Sequence, residues 1–184
     1  MKKRTKESLF AGAFLGSLAV LFFLRFGLSP EYIKVMGFSC ILVAVGLIDF
    51  ETYEIPDAFH VAAMGWWLLF HLIQGDSFFS GLVQGVVDGL WISASLFVFT
   101  LIGDKLAQKE TMGGGDIKLF FVTGMYLGWE VNLLNLIISC VIGILFGLFT
   151  GKSKIPFGPA IGISTCFCML CGEFLVEQYL KLFW

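Results

Sequence analysis

Apolar runs close to the length of a bilayer crossing recur along this chain, and only short polar stretches separate them. The hydropathy pattern predicts helical segments over residues 8–28, 33–49, 57–74, 82–102, 117–129, 131–150 and 159–181. In lipid a helix satisfies its own backbone hydrogen bonds, and about 20 helical residues match an apolar layer ~30 Å thick. The pattern predicts an all-α fold: a polytopic membrane helical bundle of about seven spans, folded as a single domain over residues 1–184. The fifth segment is short, and the count falls to six if it does not cross. The basic start and apolar centre of the first segment imitate a signal peptide. Its apolar run is long and no small-x-small cleavage site follows, so it reads as a retained first span.

Composition agrees with this pattern. Of 184 residues, 58% are hydrophobic and 14% charged, and the mean hydropathy is +0.88. A soluble domain needs a larger charged surface. The net charge of -2 carries no sign of a nucleic-acid partner; the partner implied by composition is the lipid bilayer.

The charges also orient the spans. With the N-terminus in the cytoplasm, the inner ends carry Lys2, Lys3, Arg4, Lys6, Lys105, Lys109, Lys118, Lys152 and Lys154, and the outer ends carry Arg25, Lys34 and Lys181. Basic residues concentrate on the cytoplasmic side of membrane proteins. The same bias supports a crossing by the fifth segment, without which Lys152 and Lys154 would fall outside. Asp49 ends an inward-going span in this arrangement, and Asp116 starts an outward-going one. Both acids reach the cytoplasmic face.

Glycines four apart, as in Gly81/Gly85/Gly89, Gly124/Gly128 and Gly158/Gly162, suit close helix packing in lipid. Cys40, Cys140, Cys166, Cys168 and Cys171 lie in apolar segments without histidine partners or two CxxC pairs. They read as packing residues, and no metal or cofactor is expected.

The candidate chemistry centres on two stretches. Asp49 closes an apolar run, where a charge costs roughly 2.5–3.5 kcal/mol at mid-membrane and less near the interface. Glu51 and Glu54 follow in what reads as a solvated loop, and Asp57 reads as a helix N-cap after Pro56. In Met112-Gly113-Gly114-Gly115-Asp116-Ile117-Lys118, three glycines permit unusual backbone angles. They would also let an extended peptide lie against the loop beside Asp116. Lys118 is either a cytoplasmic anchor or a partner that orients the acid. Two carboxylates on one face suggest an aspartic-protease dyad that shares one proton: one member activates water, the other protonates the carbonyl oxygen. There is no HExxH, and His60 and His71 read as packing or interior polar residues. Gly151-Lys152-Ser153 lacks the earlier glycine of a phosphate loop, with Phe146 in its place. Asp88, inside the fourth span, reads as hydrogen-bonded to a neighbouring helix. Glu173 and Glu177 face the interface or the bundle, with Lys181 nearby.

Asp49 with Ile55-Pro56-Asp57, then Gly113-x-Gly115-Asp116-x-Lys118-Leu119, then Ile155-Pro156-Phe157-Gly158-Pro159 resemble the type IV prepilin peptidase family. These are GxGD-type intramembrane aspartic proteases, with presenilins and signal peptide peptidases as more distant members. The resemblance runs from about residue 33 to the C-terminus. It implies that Asp49 and Asp116 are catalytic and that Gly113, Gly114, Gly115 and Lys118 support the site. It further implies an inner-membrane enzyme whose substrate is a prepilin-like or pseudopilin precursor, cut at its basic leader on the cytoplasmic side. Family members that also methylate the new terminus often carry a cytoplasmic domain with paired cysteines. Only a short loop joins the first two spans here, so the chain looks like a peptidase-only form. Two other readings compete: a small proton-coupled transporter or channel with a broken helix at Gly113–Gly115, and a non-catalytic assembly protein.

Overall fold

A computed structural model describes residues 2–74, 78–151 and 155–183. Its helices, in order, are α1 (Lys2–Phe26), α2 (Pro30–Thr52), α3 (Asp57–Gln74), α4 (Phe78–Ala107), α5 (Gly114–Thr150) and α6 (Gly158–Phe183). No strand occurs among the described residues. Five helices are long and apolar enough to cross a membrane, and α3 is a shorter apolar helix. Lys152, Ser153, Lys154 and Trp184 lie outside the described residues, as do the side chains of Lys2, Lys3, Arg4 and Lys6.

Local signals set the ends of α2. Ser29 caps its start, accepting from the Tyr32 N–H at 3.2 Å, and Pro30 occupies the first turn, where its missing N–H has no cost. Tyr53 ends the helix in the left-handed conformation, and its N–H bonds the Asp49 carbonyl at 2.8 Å.

The fifth and sixth expected segments are two helical limbs that meet at Gly128 within α5. At ~1.5 Å per residue α5 would reach about 55 Å if straight, but it is folded at Gly128 (φ 76°, ψ 160°). That backbone region is open essentially to glycine alone. Gly128, read from sequence as a packing glycine, is therefore the hinge of a helical hairpin with limbs 114–127 and 129–150. Side chains record the reversal. Asn132 donates to the Phe120 carbonyl at 3.0 Å and accepts from Thr123 at 2.8 Å. In a straight helix residues 120 and 132 would stand ~18 Å apart along the axis.

The interior holds Phe22, Phe38, Leu42, Leu119, Phe120 and Ile161, each at most 2% exposed. It also holds polar side chains: Thr123, Asn132, Asn135, Ser139, Ser164 and Thr165 are fully buried. Asn135 accepts from Ser164 and Thr165 of α6, and Ser139 bonds Ser164. This network ties the second limb of α5 to α6. Large apolar side chains such as Leu28, Phe99, Leu148 and Phe149 face outward. An apolar exterior around a satisfied polar interior is the arrangement lipid favours. Helix α4 lies on α5 where Gly89 and Gly124 bring the two backbones together; a Cβ on Gly124 would stand 2.7 Å from the Gly89 Cα.

Candidate active site

Four helix ends converge at one end of the bundle: the C-terminus of α2 and the N-termini of α3, α5 and α6. Asp49 comes from the last turn of α2 and is 4% exposed. The α6 Gly158 N–H donates to its Oδ2 at 2.7 Å. A negative charge at the C-terminus of its own helix is disfavoured by that helix dipole, and the N-terminus of α6 offsets this. Gly158 must lack a side chain, since a Cβ there would stand 2.9 Å from the same oxygen.

Asp116 enters from the first turn of α5 and is half-buried. The ring of Phe120, one turn further along α5, lies 6.3 Å from the ring of Phe157, the residue before the Gly158 that bonds Asp49. The fold thus gathers Asp49 and Asp116 at a single end of the bundle. At the opposite end Arg25 of α1 pairs with Glu173 of α6 at 3.2 Å, 15 residues beyond Gly158, or ~22 Å along α6.

The glycine run departs from the expectation. Gly114 and Gly115 already belong to α5, and Gly113 is its N-cap in an extended conformation (φ −68°, ψ 138°). None of the three has a positive φ, so backbone freedom does not require them, and only Gly113 and Gly115 are closely approached. A Cβ on Gly115 would lie 3.1 Å from the Ile55 Cβ, whereas one on Gly114 would meet open space. With two of the three in helix, an extended peptide cannot pair along the whole run. The helix break is at Gly128, not at Gly113–Gly115.

Two neighbouring residues were undervalued from sequence. Asp57, read from sequence as an N-cap, is the first residue of α3. Its Oδ1 receives Lys118 Nζ at 2.7 Å; this assigns Lys118 a partner across helices. His60, one turn on and 3% exposed, places Nε2 3.0 Å from the Gly115 carbonyl and Nδ1 3.7 Å from Asp57 Oδ1. The available signal was the spacing of Asp57 and His60, which puts both on one helix face. Glu51 and Glu54 are exposed, as read. Asp88 accepts from Gln84 of its own helix at 2.9 Å, not from a neighbouring helix, because its partner lies one turn earlier. Glu177 pairs with Lys181 at 3.4 Å.

An apolar groove of about 460 Å³ opens between α1, α2 and α6, lined by Phe10, Phe14, Leu42, Gly46, Phe50 and Pro159 among others.

The family follows from comparison with known proteins. Residues 36–148 match the model of the type IV leader peptidase family, a stretch that contains both aspartates and most of the helices bearing them. The chain belongs to the type IV leader peptidase family. It is similar to the prepilin leader peptidase/N-methyltransferase of Aeromonas salmonicida (strain A449), 32% identical over 149 residues that cover 77% of this chain and 50% of the relative. The protein of the same name from Aeromonas hydrophila is 31% identical over 151 residues, covering 78% and 51%. That from Bacillus subtilis (strain 168) is 30% identical over 167 residues, covering 86% and 64%. The chain spans about half the length of the first two. No solved structure matches it.

Proposed function

We propose that the chain is an aspartic endopeptidase of the inner membrane that removes the leader peptide of prepilin-like or pseudopilin precursors at the cytoplasmic face. The observation that supports this reading is that the helix ends bearing Asp49 and Asp116 lie at one end of a bundle in a family of leader peptidases. One carboxylate takes a proton from the attacking water. The other gives its proton to the carbonyl oxygen, and the proton gained from water serves the departing amine. The Gly158 N–H holds one oxygen of Asp49 in place, which leaves less reorganisation to the reaction itself. Neither a metal nor a covalent intermediate enters this scheme.

The N-terminus lies in the cytoplasm, and the two limbs of α5 cross separately, for seven crossings in all. A limb of 14 residues reaches ~21 Å, less than the ~30 Å apolar layer. Asp116, at the start of this limb, would then sit below the cytoplasmic surface. The transporter reading loses the broken helix at Gly113–Gly115 on which it stood.

Cleavage of a pilin-type precursor by the purified chain in liposomes tests the proposal. Asp49→Asn and Asp116→Asn should each lower product formation at least ~100-fold, within the range of general acid–base contributions. Full activity in either variant would overturn the dyad.

A further inference from the structure

We propose that His60 is a positioning residue for Asp116, acting through a hydrogen bond to the Gly115 carbonyl; the inference rests on the catalytic role proposed for Asp116. The first turn of a helix is where the backbone is least held, because its N–H groups lack helical partners. In α5 the cap adds little: Gly113 has no side chain with which to bond that turn. The Asp116 N–H reaches the Gly113 carbonyl at 3.1 Å. The rotation of this turn, and with it the direction of the Asp116 carboxylate, must be set from outside the helix.

Three contacts from α3 and the segment before it do so. Ile55 seats against Gly115, Asp57 holds Lys118, and His60 meets the Gly115 carbonyl at 3.0 Å. They are unequal. Asp57 and Lys118 are 70% and 56% exposed, and ion pairs in water contribute little. His60 is 3% exposed, and its bond is made to the peptide group that leads directly into Asp116. A carbonyl oxygen only accepts, so Nε2 carries the hydrogen of this bond. The other nitrogen, Nδ1, is buried with no hydrogen-bond partner among the described residues. It faces the oxygen of Asp57 that already holds Lys118. A side chain needed only to fill space would not require this orientation.

The test compares His60→Leu, His60→Gln and His60→Asn in the full chain, with the same liposomes and precursor. Glutamine carries an amide N–H at the position of Nε2; asparagine is one bond shorter; leucine has no donor. His60→Leu and His60→Asn should lower kcat roughly 10–100-fold with KM within about twofold, and His60→Gln should recover kcat to within about threefold, as expected when only geometry is disturbed. Unfolding temperatures in detergent should not follow this order. Wild-type kcat in His60→Leu, alongside an inactive Asp116→Asn, would overturn the positioning role and leave the dyad standing. Equal losses in His60→Gln and His60→Leu would overturn the hydrogen-bond assignment. Activity in Asp116→Asn would instead remove the dyad on which the inference rests.

Discussion

Gly158 shows how much a single atom can decide at this site. Its N–H and its missing side chain act on the same carboxylate oxygen of Asp49. Gly158→Ala should displace that carboxylate and reduce kcat on the order of 100-fold, since a misplacement near 1 Å can cost that much. Gly162→Ala, one turn on, should change activity little, because its Cβ would meet the Leu42 carbonyl at an ordinary 3.5 Å. Steady-state cleavage assays separate the two, and equal effects would contradict the steric account. Asp49, Asp116 and Lys118 stand out in the sequence because charge is rare in apolar runs. Gly158 lies in the Ile155–Pro159 stretch of the family resemblance and His60 one turn after Asp57, but neither position reveals locally what it touches. Their partners lie 109 and 55 residues away.

Among the elements, α5 shows most clearly what hydropathy reaches and where it stops. Hydropathy separated its two limbs near the right place, because Trp129 and Glu130 interrupt the apolar run. The tight reversal at Gly128, without a loop between the limbs, required the backbone angle and the contact of Asn132 with Phe120. Gly128→Ala should destabilise the hairpin by about 1–3 kcal/mol, the usual cost of a backbone region closed to other residues. Asn132→Leu should cost about 1–2 kcal/mol, in line with buried interhelical hydrogen bonds in membranes. Both are measured as a fall in unfolding temperature in detergent. An unchanged value for Gly128→Ala would mean that the hinge is not where the strain lies.

At the scale of the whole molecule, the proposal commits the site end of the bundle to the cytoplasm. The segment between α4 and α5 should therefore be inside, and that between α1 and α2 outside. In a chain whose five cysteines are replaced, Glu110→Cys should resist a membrane-impermeant thiol reagent added to intact cells. Leu28→Cys, at a position 87% exposed, should react. Labelling of both, or the reverse pattern, would contradict the orientation read from basic residues. The transporter and endopeptidase readings also part here, since both need buried acids and only one needs them together at a single surface.

Hydropathy and charge alone were enough for the helical class, the approximate limits of the helices and the choice of two acids to follow. Each of these follows from local chemistry: whether a run of side chains prefers lipid, and where a charge interrupts it. The tertiary structure decided which turns touch: α6 against Asp49, α3 against the start of α5, and one limb of α5 against the other. Those contacts depend on how rods pack and where one of them bends. No pattern along a single rod encodes the rotation of its neighbour.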